Sequence, residues 1–338
     1  MALGSFANLY FCNIVSLVIR INEKLKKIIK YLFLITLCSA ASAQEKGIIP
    51  GNIISFRWSN DVIFETDQYY TNGLRFEFYL PLLESNPVNY ILLPSSDKSL
   101  NYYGLTITQD LFTPTEVADT VLLKADRPYA AYILLGSEKT TYDNAEKLRI
   151  YSALELGIIG ESAYGKETQN GIHDWLPTTS TYFNWLNQIK DDFAINYTAE
   201  IEKGFREGSW FNLNGIAAAK LGSPYTWFDA GFTIRAGRYD HAYHPDFAMS
   251  SDYKWQAYLF ADMRGRFVLF NATLEGGLFN DNSIYTVDAI EHLVGDFSIG
   301  ITALYKYVKL DFALHHVTPE FEGGKLHRYA YFDISVGF

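Results

Sequence analysis

The stretch Trp227-Phe228-Asp229-Ala230-Gly231-Phe232-Thr233-Ile234-Arg235-Ala236-Gly237-Arg238 decides the fold. Phe228, Ala230, Phe232, Ile234 and Ala236 fall on one side of an extended chain, and Asp229, Gly231, Thr233, Arg235 and Gly237 on the other. Side chains alternate across a strand with period two, so the segment reads as a β-strand with one apolar and one polar face. The pattern recurs. In 196–202, Tyr197, Ala199 and Ile201 oppose Asn196, Thr198, Glu200 and Glu202. In 307–315, Val308, Leu310, Phe312 and Leu314 oppose Lys309, Asp311, Ala313 and His315. The last segment puts Ala330, Phe332, Ile334, Val336 and the terminal Phe338 on one face, with Tyr331, Asp333 and Ser335 on the other.

Strands of this kind are expected at 52–60, 70–80, 101–109, 129–139, 146–158, 193–206, 208–221, 226–239, 253–264, 265–277, 291–304, 305–317 and 327–338. Bacterial single-chain membrane barrels use even strand numbers, so 253–277 is read as one long strand and the total as twelve. After Gln44 no run of about 18 apolar residues occurs, which excludes a membrane-spanning helix. A secreted β-sandwich is the competing architecture, but the polar faces are too polar for a sandwich core and the strands are long. The expected fold is all-β: a closed antiparallel transmembrane barrel, with long loops or short helices carrying any site. Lipid outside and a polar lumen inside satisfy both faces, and closure pairs every backbone group.

Composition agrees. The chain has 338 residues, of which 49% are hydrophobic and 16% aromatic, too apolar for a disordered protein. Tyr 25 and Phe 24 against Met 3 suits strands and interfacial aromatic girdles better than helical bundles. A net charge of -10 leaves no overall basic field for nucleic acid. Near the N-terminus, Lys24, Lys26, Lys27 and Lys30 precede the apolar run 31–37, and Ala41-Ser42-Ala43 follows. That order is a secretory signal, so 1–43 is expected to be removed, with 1–23 an upstream extension from an early start codon, and 44–338 to form the barrel. Both cysteines, Cys12 and Cys38, lie in the leader, so the mature chain is expected to have no disulfide and no thiolate metal site.

Two long connections, 111–128 and 160–192, interrupt the meander, and long loops are usually functional. Beside them stand Asn60-Asp61, Thr66-Asp67 with Tyr70-Thr71-Asn72-Gly73, Gln109-Asp110 with Thr113-Pro114, Asp126-Arg127-Pro128-Tyr129-Ala130, and Gly157–Gly160 with Gly165, Gln169 and His173. Each has a plain structural reading. Asn-Asp and Thr-Asn-Gly are turn chemistry, Asp-Arg-Pro suits a buried ion pair ahead of a strand, and His173 can pack beside Trp175.

Taken together and in this order, the clusters resemble the outer-membrane lipid A 3-O-deacylases, the LpxR family. Beyond about residue 205 the likeness is one of strand pattern only. The resemblance implies a twelve-stranded barrel with its site near the outer leaflet. It also implies Ca²⁺-assisted hydrolysis of the ester holding the 3'-acyloxyacyl chain of lipid A. Carried over by position, His173 would be the general base, Asp61 would help bind the cation, and Asn60 and Thr71 would help position the metal, the substrate carbonyl or both. The residue types suit that chemistry. A histidine can take a proton from water near neutral pH, and Ca²⁺ prefers carboxylate, amide and hydroxyl oxygens. The chain departs from the family pattern at Glu161, at Ala131, and at Asp119, where a basic residue is expected and Lys124 or Lys166 could substitute. The carboxylate expected shortly after the histidine meets Thr178–Ser180, leaving Asp174 nearby and Asp191-Asp192 farther on.

The expected partners are lipid A or lipopolysaccharide and outer-membrane lipids; nucleic acid is not among them, and an oligomer is not implied. A barrel hydrolase for phospholipids and a non-catalytic channel are the alternatives. The channel predicts an open lumen. His315 and His316 should point to opposite sides of a strand, a poor metal pair, and His241 with His244 are merely near neighbours.

Overall fold

The computed structural model describes residues 51–338 apart from 65, 67, 97, 116–125, 176–182, 240–254 and 281. The expected leader, Asp119, Lys124, Thr178–Ser180, His241 and His244 therefore lie outside the described residues.

Twelve strands form a closed antiparallel barrel in sequential order: β1 (Ile53–Asn60), β2 (Tyr69–Tyr79), β3 (Leu100–Thr113), β4 (Ala130–Asp143), β5 (Leu148–Ile159), β6 (Asp192–Glu207), β7 (Phe211–Ser223), β8 (Tyr225–Arg238), β9 (Trp255–Asn271), β10 (Leu293–Tyr305), β11 (Val308–Val317) and β12 (His327–Gly337). The first and last strands close it, from Ile53 opposite Gly337 to Asn60 opposite Ala330. The stretch 253–277 holds one strand rather than two, because β9 pairs without a break to β10 and, through one bulge, along β8; it ends at Asn271, short of the expected bound, where Ala272–Glu275 turn into a short helix. The first long connection begins later than expected. Leu111 stays in β3, opposite Asn72 and Ala131.

The alternation holds. Phe228, Phe232, Leu135, Ile201, Leu259, Ile299 and Phe332 are exposed on the outer surface. The inner faces carry charge in matched pairs. Arg57 meets Asp333 at 3.1 Å, Arg75 meets Glu138 at 2.8 Å, and Lys220 meets Glu155 at 2.9 Å. Arg149 and Arg264 share Glu200 at 2.7 and 2.8 Å. His315 points inward to Asp296 at 3.3 Å, while His316 packs on the outward Phe297, so the two histidines do take opposite sides.

The connections 61–68, 114–129, 160–191, 272–292 and 318–326 all lie at one end, and both terminal strands start or finish at the other. Outer-membrane barrels keep short turns on the periplasmic side and long loops outside. The turns 144–147, 208–210 and 306–307 share the end of Ile53 and Gly337, so the long-loop rim faces outward. A further long connection, 80–99, was not anticipated. Its two short 3-10 helices, Pro81–Ser85 and Pro87–Tyr90, fold back on the outer wall near the opposite end, where Asn86 and the Leu93 N–H reach Ser137 and Ser152 at 3.1 and 3.0 Å.

At the outer rim the lumen is capped. A short helix, Ala272–Glu275, packs under the loops with Leu274 and Thr273 fully buried. Arg127, also fully buried, donates to Thr273 Oγ1 at 2.6 Å and Glu320 Oε2 at 2.8 Å, and lies 4.3 Å from the Phe112 ring centroid. Within the Asp-Arg-Pro cluster it is Arg127 that enters a buried ion pair, with Glu320, while Asp126 accepts from the Thr115 N–H and hydroxyl. Burial pushes the Glu320 carboxyl up, but Arg127, together with His327 and Arg266, holds it below the usual glutamate range. A depressed folded pKa means that this stabilisation is fully present above the unfolded value and is lost only as pH falls through the folded one. Glu320→Gln strands the Arg127 charge, and about 3–5 kcal/mol of stability is expected to go. Urea unfolding of the detergent-folded protein at neutral pH checks this. The wild-type/variant gap should close only at a pH below the ordinary glutamate range.

Candidate active site

The candidate site residues gather at the capped rim, with Asn60 and the His173 helix on the outside of the wall. On β1, Ile54 is exposed and Ser55, Ser59 and Ile53 are buried inward, so even-numbered Trp58 and Asn60 face outward. Asn60 lies opposite Asn72 on β2. Its Oδ1 accepts from the Val62 N–H at 2.7 Å, turning the chain off the strand, and its Nδ2 donates to Asn72 Oδ1 at 3.4 Å. Asp61 is 2% exposed. Its Oδ2 accepts from Thr66 Oγ1 at 2.9 Å and the Gln68 N–H at 3.0 Å, which pins the crossover to β2.

Thr71 is the extra residue of a β-bulge. Tyr70 pairs with Phe112 and Asn72 with Leu111, leaving Thr71 unopposed. Its hydroxyl donates to the Leu111 carbonyl at 3.4 Å, and it is buried. The bulge has a cause inside the barrel. Tyr70 Oη donates to Asp110 Oδ1 at 2.9 Å, and Tyr132 Oη donates to Asp110 Oδ2. Tyr70 thus points into the lumen while Asn72, two residues on, faces out. Gly73 must be glycine: an added Cβ would stand 1.9 Å from Tyr70 Oη and 2.6 Å from Asp110 Oδ1.

Asn72 is a site residue that the sequence reading quoted but assigned no role. Its Oδ1 accepts from Trp58 Nε1 at 2.9 Å. Indole nitrogen only donates, so this bond fixes which amide atom is oxygen. Nδ2 is then a buried donor with no hydrogen-bond partner among the described residues. Such a donor is costly unless a ligand or water meets it.

His173 rides on α1 (Gly165–Trp175), which lies against the outer wall over β3 and β4. Gln109, outward on β3, clamps it there: its Nε2 donates to the Ala163 carbonyl at 2.7 Å, and its Oε1 accepts from Thr168 Oγ1 at 3.2 Å. Beneath the helix Leu111, Tyr129, Ala131, Ala163, Phe183 and Trp185 form a buried apolar cluster. Gly165 permits the approach, since a Cβ would lie 2.3 Å from Trp185 and 2.6 Å from the Ala131 Cβ. Gln169 accepts from Trp185 Nε1 at 2.6 Å, and Asn170 brackets the Phe183 backbone at 3.0 Å on both sides. One turn beyond Gln169, the His173 ring meets Phe183 edge-on at 4.8 Å.

Asn60, Asp61, Thr71 and His173 therefore share one end of the barrel, and Asn60, Asn72 and the His173 helix share its outer surface. The alternative acids are engaged elsewhere. Asp191 accepts from the Ser162 N–H and Oγ at 2.8 and 2.6 Å, and Asp192 from the Phe193 and Phe279 N–H groups at 2.8 and 2.7 Å. Asp174 is exposed on the helix.

A closed barrel with paired charges inside, apolar side chains outside and a candidate site at its rim is the architecture of an outer-membrane protein. A sequence model of the family described as Outer membrane protein LpxR matches residues 30–338. The chain belongs to that family, the one its motifs resemble, the outer-membrane lipid A deacylases. Among solved structures it is similar to LpxR from Salmonella typhimurium, with TM-score 0.69 and 22% identity over 85% of this chain and 100% of that one. The beta domain of the Bordetella autotransporter BrkA aligns with TM-score 0.46 and 10% identity, covering 86% of this chain and 100% of that one. Comparison with curated protein sequences gives no match.

Gly73→Ala is expected to overpack the bulge and cost about 1–3 kcal/mol. An unchanged urea midpoint would show that Tyr70 and Asp110 do not set this geometry.

Proposed function

We propose that the protein is a lipid A 3-O-deacylase that removes the 3'-acyloxyacyl chain by Ca²⁺-assisted attack of a His173-activated water. The observation that carries this reading is the clamping of the His173 helix onto the outer wall, at the rim that holds Asn60, Asp61, Thr71 and Asn72. An ester whose acyl chains remain in the outer leaflet can enter such a site without leaving the membrane.

In this reading His173 takes a proton from water as the oxygen attacks the ester carbonyl carbon. The bond from that carbon to the sugar oxygen then breaks, and His173 returns the proton to the departing sugar hydroxyl. The products are a free fatty acid and a sugar alcohol. The unpaired Asn72 Nδ2 is suited to donate to the carbonyl oxygen as charge builds on it.

The donor set fits a hard cation in kind, being carboxylate, amide and hydroxyl oxygen. Among the described residues no three His, Cys, Asp or Glu side chains cluster, so a calcium shell here would draw on backbone carbonyls and water besides Asp61. Asp61, Asn60 and Thr71 would hold the ion, which supplies a Lewis acid for the carbonyl when bound. The channel alternative is disfavoured by the dense ion pairs along the inner wall and by the buried Arg127–Glu320 pair at the rim.

Mass spectrometry of lipid A from cells expressing the wild type should show loss of the 3'-acyloxyacyl chain. His173→Ala should reduce that loss by about 10²–10⁴-fold, the usual share of a general base. Calcium chelation should suppress it too. Intact lipid A in wild-type cells would reject the reading, and release of phospholipid acyl chains instead would transfer it to a phospholipase.

A further inference from the structure

The lipid-facing wall beside Asn60 carries a second polar feature. On β12, Arg328 and Ala330 share the outward face, and Ala330 lies opposite Asn60. Arg328 is exposed and sits directly opposite His316 on β11. Phe64, in the 3-10 turn that follows Asp61, lies against both side chains. Its ring centroid is 4.8 Å from the Arg328 guanidinium carbon and 6.2 Å from the His316 ring, which it meets edge-on. His316 Nδ1 is buried and has no hydrogen-bond partner among the described residues.

Arg328 differs from the lumen arginines. Arg57, Arg75, Arg149, Arg264 and Arg266 each face a carboxylate. Arg328 faces an aromatic ring, and among the described residues it is ion-paired to no carboxylate. An unpaired guanidinium at the lipid boundary, held over a ring that leaves its edge donors open, is suited to a planar or tetrahedral oxyanion.

Its height is informative. Strand geometry puts Arg328 about 5 Å sideways and about 7 Å rimward of Asn60. Below it the same face is apolar, with Phe332 and Ile54 each 41% exposed. Acyl chains would meet that lower face, and head groups the level of Arg328. The Arg328–His316 pair lies on the far side of Asn60 from the His173 helix. A sugar head group whose ester is at Asn60 and Thr71 would span from one to the other.

We propose that Arg328, flanked by His316, anchors a phosphate monoester of the glycolipid head group and makes the site selective for phosphorylated substrate. The inference rests on the deacylase reading for its substrate, but it concerns a separate patch of wall. Arginine binds phosphate through two parallel charge-assisted hydrogen bonds, which fix orientation as well as affinity.

The test uses the full-length protein in detergent micelles with three substrates: lipid A bearing both glucosamine phosphates, and the two forms lacking one or the other. Binding and turnover are measured together. Arg328→Gln should raise KM about tenfold on the doubly phosphorylated substrate, as expected for loss of a charge-assisted hydrogen bond. It should leave kcat within about twofold. On whichever form lacks the contacted phosphate, the variant and wild type should be equal. Arg328→Lys should recover part of the affinity, which also excludes a folding defect. Equal losses on all three substrates, or no loss on any, would overturn the anchor. Inorganic phosphate separates the two sources of the ligand chemistry. Strong, Arg328-dependent competition by millimolar phosphate, with no discrimination among the three lipids, would make this a free-phosphate site and overturn the head-group assignment. Arg328-dependent binding of phosphorylated lipid A without cleavage would sink the deacylase reading and leave the anchor standing.

Discussion

The closed backbone ladder is the constraint on which the structure depends. In hydrocarbon no water is available to an unpaired N–H or C=O, so a sheet can cross only if its two edges meet. Here β1 and β12 meet over the full length of β1. Closure divides the side chains into two populations. The outer one must suit lipid, and Phe228, Leu135 and Ile299 do. The inner one is shut away with its own charges. Arg75, Glu138, Glu155, Lys220, Arg149, Glu200 and Arg264 answer that confinement by pairing along the inner wall, between neighbouring and nearby strands.

The inner wall is committed to paired charges, and the candidate site lies on the outer surface. With Arg127, Thr273 and Glu320 tied together under the rim, the interior is a scaffold. The candidate site stands on the other side of the wall, yet it is shaped from within. Asp110 draws Tyr70 inward, the bulge at Thr71 follows, and Asn72 emerges on the lipid side beside Asn60. Two adjacent residues of β3 thus divide the work. Asp110 sets the bulge through the lumen, while Gln109 holds the His173 helix from outside. A motif that reads as Gln-Asp in sequence serves both faces of one strand.

The outer face is graded along its height, with exposed apolar side chains below and polar groups at the rim. Asn60 and Asn72 sit at the transition, Arg328 and His316 slightly above it, and the His173 helix flanks them over β3 and β4. That order matches a lipid ester, whose reacting carbon lies between acyl chain and head group.

Much of this was legible beforehand. Period-two alternation set the all-β class and the inward and outward faces, because closure in lipid leaves the two faces such different solvents, and the even strand number of membrane barrels pointed to the long strand through Gly265. The order of short motifs singled out His173, Asn60, Asp61 and Thr71 as candidates, and the fold sets all four at the same rim. Alternation could not reveal that Arg127 seals the lumen against Glu320, 193 residues away, or that 80–99 folds back on the outer wall. Nor could it show that Asn72 keeps an unpaired donor, or that Arg328 stands beside Asn60. Periodicity is a local property, written in neighbours along the chain. Which strands touch, and which loop residue reaches across the mouth, follows from closure of the ring, and only the tertiary structure decides it.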